Sequence, residues 1–375
     1  MTATIGLLVW ALALLVHWRG TWRALHFFLP TRATPRPDSP PISIYKPLKG
    51  NFSQLENNLI SFFELDYPRF ELLFAVARAD DPAADVARSL MARYPGVEAR
   101  LFVSPEGQLQ NPKFSTLVEP FREARHDWTL ISDANVIVPR DYLHRLVGAT
   151  QPGVGIVAAI PAGSEPQGVG GHLDAVYLNT YYARGVLLCD LSGRPVTPGK
   201  IQFFQRSVSL RFGGLSEVGK HLGADIRLGK EMLRLGLRAV ILPEPVRQVS
   251  GPISFLGFWQ RHLRWARVRK AFHLPLFLTE PLLCSLGSAA LGAWAFHFLF
   301  GVDPALVAMA HLGAWYLGDL LLMRKMEPDS SFLQSSFFWM LRELLGPLLW
   351  LHELVGNRAR WAGRELRITA RGILR

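Results

Sequence analysis

An aspartate and an asparagine two residues apart, Asp133 and Asn135, follow directly on the apolar run from Trp128 to Ile131. That run has the composition of a buried strand, and in an open α/β sheet ligands bind just past the carboxyl ends of the strands. An acid there, followed by a carboxamide, offers oxygen ligands to a hard divalent cation such as Mg²⁺ or Mn²⁺. The pair is therefore a candidate metal–nucleotide site, although the same residues serve equally to close a turn or cap a helix. Further along, helical spacing puts Arg261, Arg264 and Trp265 on one face of an amphipathic stretch, Phe255 to Lys270. Two guanidiniums on one face can clasp a diphosphate in paired bonds, with Trp265 as the floor of an adjoining pocket. Arg267, Arg269 and Lys270 also suit a basic helix lying on anionic lipid.

The elements needed to position these groups alternate as in an α/β domain. Strands are expected at Ile42–Tyr45, Phe70–Ala77, Glu98–Val103, Trp128–Ile131 and Val154–Ile160, with helices between them at Ser53–Leu65, Pro82–Tyr94, Phe114–Ala124 and Arg140–Ala149. Ser53 and Glu56 have the spacing of a capping box. Beyond Gly170 the pattern gives a helix at Leu173–Tyr182, a strand at Ile201–Phe204, a helix at Asp225–Leu235 stopped by Gly236, and a strand at Ala239–Leu242.

Composition narrows the class of partner. The 375-residue chain is 49% apolar, with 11 Trp, 23 Phe and a net charge of +11; its mean hydropathy is +0.16 and its pI near 10.0. So basic a chain suits nucleic acid, anionic lipid or a phosphorylated substrate. With no basic low-complexity tail, zinc pattern or repeat, membrane plus nucleotide is the better reading and nucleic acid is not expected. Two cysteines, Cys189 and Cys284, make no disulfide framework.

Ile5 to Trp18 is apolar apart from His17 and is followed by Arg19, Arg23, Arg32 and Arg36, the reverse of a secretory signal's order. It reads as a retained membrane helix, extendable through Leu29, with its basic end and the following domain in the cytosol. Thr31 to Pro41 is a Pro/Arg linker. Leu276–Phe300 and Pro304–Met323 are further apolar runs. A third, Phe332–Val355, carries Arg342, Glu343, His352 and Glu353 and contains Gly346-Pro347. Charge at the bilayer centre is unfavourable, and a crossing here would put the Arg-rich tail outside, so a re-entrant or interfacial segment is expected. The resulting division is 1–30 membrane helix, 42–252 cytosolic α/β domain, 253–272 interfacial helix, 273–356 membrane region and 357–375 basic cytosolic tail.

Several stretches together resemble the ceramide glucosyltransferases: Lys46-Pro-Leu-Lys-Gly50, Asn57-Asn-Leu59, Ser61-Phe-Phe-Glu-Leu-Asp-Tyr-Pro68, Asp80-Asp-Pro-Ala83, Asn111-Pro-Lys113, Ser132-Asp-Ala-Asn135 and Arg261-His-Leu-Arg-Trp265. The resemblance implies a GT-A (Rossmann-like) nucleotide-sugar-binding domain between N- and C-terminal membrane helices, with glucose moved from UDP-glucose to the primary hydroxyl of ceramide and the anomeric centre inverted. It implies Asp81 at the uridine end, Asp133 with Asn135 on a divalent cation, and Asp225 as catalytic base. Lys46, Lys113, Arg261 and Arg264 fall around the nucleotide sugar, and Trp265 with Arg264 at the acceptor.

The residues allow each role beside a plainer one. Asp81-Pro82 is also a standard helix start. An acid at a helix N-terminus such as Asp225 is kept ionised by the dipole and is also simply a cap. One departure stands out: Ala224 occupies a position where the family usually has Glu. Rival readings are the same chemistry on a hopanoid or diacylglycerol or from another sugar donor, a processive polysaccharide synthase, and a non-catalytic UDP-sugar-binding membrane scaffold.

Overall fold

The computed structural model describes residues 1–29, 39–50, 54–105, 107–193, 195–356, 358–361, 364–369 and 373–374. Ser53, most of the 31–41 linker, Arg371 and Arg375 lie outside the described residues.

Eight strands form one mixed sheet: β1 (Ile42–Pro47), β2 (Phe70–Val76), β3 (Ala99–Val103), β4 (Trp128–Ser132), β5 (Val136–Ile137), β6 (Val154–Gln167), β7 (Ile201–Gln205) and β8 (Arg238–Pro252), in the order β3-β2-β1-β4-β7-β6-β8-β5. The first four are parallel, and β7 then runs antiparallel between β4 and β6. Side chains alternate across the parallel half. Ile42, Ile44, Leu72, Phe74 and Val76 enter one core with the helices Leu55–Phe63 and Pro82–Arg93. Tyr45, Leu73 and Ala75 enter the other, against Phe114, Leu117, Leu228 and Met232. Burial on both faces explains why these strands read as continuous apolar runs.

From β1 the chain passes to β2 and β3 on one side, and β4 lies on the other. That is the point of an α/β sheet where a crevice opens beyond the strand ends. Lys46 is the penultimate residue of β1, and Asp133 follows β4.

Strands β6 and β8 run much farther than the sequence suggests. They pair in parallel from Val154 and Arg238 to Gln167 and Pro252, with irregularities near Val154 and Pro161. Pro161, Gly163, Pro166, Pro243 and Pro245 give these stretches the look of loops, but proline is accepted at bulges. This ribbon delivers two helices side by side: Gly168–Tyr177 after β6 and Phe255–Phe272 after β8. The expected Leu173–Tyr182 helix is part of a longer one, Gly168 to Leu191, interrupted by a π turn at Leu178–Tyr182.

The N-terminal helix spans Thr2–Phe27, and among the described residues two helices, this one and Pro304–Met326, are long and apolar enough to cross a membrane. Small residues let the helices close up. A side chain at Gly6 would strike the Trp294 indole, one at Gly292 the Trp10 indole, and one at Gly318 the His17 ring. The apolar run from Leu276 to Phe300 is not one helix. It divides into Leu274–Thr279, a 3-10 turn at Glu280–Leu283, and Ser285–Phe300. Pro281 interrupts it, and Glu280 is drawn back to Arg269 of the Phe255–Phe272 helix by a 2.5 Å ion pair.

Phe332–Leu354 is a single helix in spite of Pro347. Its exposed apolar residues Leu333, Phe337, Met340, Leu344, Leu348 and Leu351 recur at helical spacing along one stripe. On the other side Phe338 stacks on His172, and the Lys270 ammonium donates to the carbonyls of Glu353, Leu354 and Gly356 at the helix end. The basic tail is not a free arm. Strands Arg358–Trp361 and Arg364–Arg367 pair, and Leu366, Ile368 and Leu374 pack against Leu222.

Candidate active site

The crevice beyond β1 and β4 is built from lysines around Asp133. Lys46 is fully buried; its ammonium donates to Ser132 Oγ (3.1 Å) and to the Asp133 carbonyl (2.7 Å), and lies 3.6 Å from the centre of the Phe62 ring. Burial pushes that ammonium well below the usual lysine range, with Asp133 only partly opposing it. Lys46 thus braces the end of β4 and does not line the cavity, which corrects its expected place on the nucleotide sugar.

The Asp133 carboxylate is gripped from both sides, Oδ1 by Lys113 at 2.5 Å and Oδ2 by Lys200 at 2.7 Å. Lys200 also donates to Asn135 Oδ1 at 3.0 Å. Burial alone would raise the Asp133 carboxyl, but the two ammoniums outweigh it and hold it well below the ordinary value. Lys113 reaches this point because Asn111 caps the short helix Pro112–Thr116, accepting from Phe114 N–H, while its Nδ2 donates to the carbonyl of His221 (2.9 Å). The motif Asn111-Pro-Lys113 therefore ties the Asp133 side to the loop that carries Asp225.

Asp225 lies in the first turn of the helix Ala224–Arg234, with Gly223 as N-cap. Thr197 Oγ1 (2.8 Å) and Gln202 Nε2 (3.1 Å) hold its main-chain carbonyl. Gly199 leaves room for its carboxylate, since a Cβ there would come within 2.5 Å of Oδ2. Burial raises the Asp225 carboxyl above its ordinary value, with Lys113 opposing. A half-buried acid with raised basicity is what a general base needs.

On the neighbouring wall Asp174, wholly buried, accepts from Arg261 Nη1 (2.9 Å) and Gln248 Nε2 (3.3 Å) and contacts His262 Nε2 (3.0 Å). Arg261 therefore has one end committed to an acid, and its guanidinium rests 5.7 Å from the centre of the Trp265 ring. Of the two guanidiniums expected to face a diphosphate, that of Arg261 is thus already partly engaged. Arg264 lines the cavity, pulled below the usual arginine range by burial and by Arg261 beside it, and remains a cation at neutral pH. The Trp265 ring centre lies 5.8 Å from that of Tyr177 and 6.2 Å from that of Tyr182, so the helix end and the π turn after it supply an aromatic waist.

Asp133, Asp225, Arg264 and Trp265 line one cavity of about 960 Å³. It continues past Tyr182 to Val16 and His17 of the N-terminal helix and Trp315 of the Pro304–Met326 helix. One end is charged, the middle aromatic and the far end largely apolar. Asp81 does not line it. Asp81 caps Pro82–Arg93 by accepting from Ala83 N–H (2.9 Å), and accepts from Gly50 N–H (2.8 Å); both bonds fall on Oδ1.

A family model described as glycosyl transferase family 21 matches residues 1–374. The chain belongs to glycosyltransferase family 21. Among curated relatives, ceramide glucosyltransferase 1 of Caenorhabditis elegans is 27% identical over 92% of this chain and 75% of its own length. The ceramide glucosyltransferase of Komagataella phaffii is 24% identical, covering 98% and 90%. Among solved structures, a mannosyltransferase from Pyrobaculum calidifontis in complex with GDP-Man and Mn²⁺ aligns with 95% of this chain and 99% of its own, at a TM-score of 0.53 and 17% identity. That likeness shows the fold, a GT-A glycosyltransferase architecture, and the family together with the two long apolar helices makes the chain a membrane-associated glycosyltransferase.

For this family 21 member the donor set at Asp133 sets the terms for a metal. Among the described residues no three His, Cys, Asp or Glu side chains gather for one. Asp133 and Asn135 do converge, and one or two protein oxygens completed by substrate phosphates and water make the kind of shell Mg²⁺ accepts. They fit a divalent cation once the Lys200 ammonium turns aside. Sequence reasoning missed Lys200, Asp174 and Tyr182. Lys200 carried no signal, being one lysine after a Pro-Gly turn. Asp174 carried one: a lone acid among Leu173, Ala175, Val176 and Tyr177 has to find a buried partner.

Proposed function

We propose that this glycosyltransferase moves glucose from UDP-glucose to the primary hydroxyl of ceramide, with inversion, on the cytosolic face of a membrane. The observation that carries the reading is the shared cavity: Asp133 and Asp225 face one space that runs into the apolar helices. Two-tailed lipids leave a bilayer at a cost of about 0.8 kcal/mol per buried methylene. An enzyme acting on them does better to bring its site to the lipid.

The acceptor head group passes the Trp265–Tyr182 waist, its tails remaining toward Val16 and Trp315. Its hydroxyl oxygen attacks the anomeric carbon as the bond to the diphosphate oxygen breaks. UDP departs with the bonding electrons, and the hydroxyl proton passes to the Asp225 carboxylate, giving the β linkage from an α-linked donor. Lys113 and Arg264 hold the diphosphate, Asp174 fixes the Arg261 side chain that backs Trp265, and the family resemblance assigns Asp81 to the uridine end. A divalent cation at Asp133 and Asn135, when bound, supplies Lewis-acid stabilisation of the departing diphosphate.

Arg19 and Arg23 near the end of the first helix, and Arg324 and Lys325 near the end of Pro304–Met326, support a cytosolic domain by the positive-inside rule. The single exposed apolar stripe of Phe332–Leu354 supports a helix lying in the interface. Turnover by purified protein with defined ceramide and a panel of UDP-sugars, read by mass spectrometry, tests the function. A product with one glucose supports it, a ladder of sugars points to a synthase, and UDP binding with no product to a scaffold.

A further inference from the structure

Lys200 takes no part in the chemistry above, yet its ammonium sits between the two oxygens expected to hold a cation, 2.7 Å from Asp133 Oδ2 and 3.0 Å from Asn135 Oδ1. Its main chain is anchored there. The Asp133 N–H donates to the Lys200 carbonyl at 3.3 Å, and the next residue, Ile201, pairs with Ser132 in the β4–β7 ladder. The side chain can pivot, but the residue cannot leave the site.

The charges around it do not balance. One carboxylate, Asp133, receives both Lys113 and Lys200. Arg261 is already matched by Asp174. Lys200 and Lys113 have only 15% and 17% of their side chains exposed. Partly desolvated positive charge in excess over its partners is stabilised by an anion, and charge-assisted bonds to phosphate oxygens are among the strongest available to an ammonium.

We propose that Lys200 is a ligand of the donor's diphosphate. In the donor-free protein it rests on Asp133 and Asn135; when the nucleotide arrives it turns onto a phosphate oxygen and frees those two side chains. The chain itself thereby supplies part of the positive charge the diphosphate needs. This rests on the nucleotide-sugar reading of the site.

The test is UDP binding to the purified full-length protein in detergent by titration calorimetry, in excess chelator and again with Mg²⁺. Wild type is expected to bind UDP in chelator, Lys200→Met to bind at least tenfold more weakly there, and Lys200→Arg, which keeps the charge, to recover most of the loss. Melting temperatures of all three proteins show whether each is folded. Lys200→Met that binds as wild type does in chelator overturns the proposal, as does a wild type that binds UDP only when Mg²⁺ is present. An equal loss in Lys200→Met and Lys200→Arg also overturns it, by making the residue a packing element. A wild type that binds no UDP under either condition fails the nucleotide-sugar reading itself.

Discussion

Replacing Asp174 by alanine should do more damage than any other single change on the acceptor side of the cavity. The carboxylate is wholly buried and holds Arg261, His262 and Gln248 together. Removing one partner of a buried ion pair costs roughly 3–5 kcal/mol, because the other charge is stranded. Here the Arg261 side chain keeps 26% exposure and can recover some hydration, which places the loss near the lower end, about 3 kcal/mol. At roughly 2–4 °C per kcal/mol for a domain of this size, the melting temperature should fall by about 6–12 °C. Asp174→Asn keeps the shape and one acceptor and should lose about half as much. The sign of the pH dependence is fixed as well. Burial opposes ionisation of Asp174, but Arg261 and His262 prevail and hold its carboxyl below the ordinary value. Its contribution is therefore present above the unfolded carboxylate pKa, about 3.9, and is lost as pH falls through the lower folded value. The gap between wild type and Asp174→Asn should be constant near neutrality and close at acid pH. Scanning fluorimetry of the detergent-solubilised proteins measures both. An Asp174→Ala protein that melts within a degree or two of wild type would refute the assignment of Asp174 as the anchor of the Arg261 helix.

Other consequences are as direct. Because burial raises the Asp225 carboxyl, activity should fall as the base protonates at a pH above the ordinary carboxylate range; a rate profile still flat at pH 4 contradicts this. Gly199→Ala places a methyl where the Asp225 carboxylate lies. Turnover should drop at least tenfold with UDP affinity little changed, and equal losses in both would assign Gly199 to the donor pocket instead. Deleting residues 365–375 removes Leu366, Ile368 and Leu374 from Leu222, three residues before Asp225. The shortened protein should lose turnover and gain protease sensitivity around residues 220–224, whereas unchanged kinetics would make the tail's docking incidental.

The parallel half of the sheet was legible because its strands are buried on both faces and its helices begin with clear signals, as Asp81-Pro82 does. The long β6–β8 ribbon was not. Its prolines and glycines imitate loops, and only pairing between two such segments reveals strands. Asp133, Asn135, Arg264 and Trp265 were singled out by residue type and spacing, Lys113 and Asp225 by the family resemblance, and all six line one cavity. Lys46 was carried to the nucleotide sugar by the family resemblance, and a motif match cannot say on which side of a strand end an ammonium is buried. Arg261 was placed on the right face, but its acid partner comes from a helix some ninety residues earlier, a distance no local pattern spans. Leu276 to Phe300 looked like one span because hydropathy does not weigh Pro281 or the pull of Arg269 on Glu280.

The central claim is that Asp225 accepts the acceptor's proton in a pocket shared with the donor site, and Asp225→Asn tests it most directly. UDP affinity and ceramide-dependent turnover should be measured on the same preparation. The account predicts affinity within about twofold of wild type and turnover lower by roughly 10²–10⁴. Turnover close to wild type would contradict it.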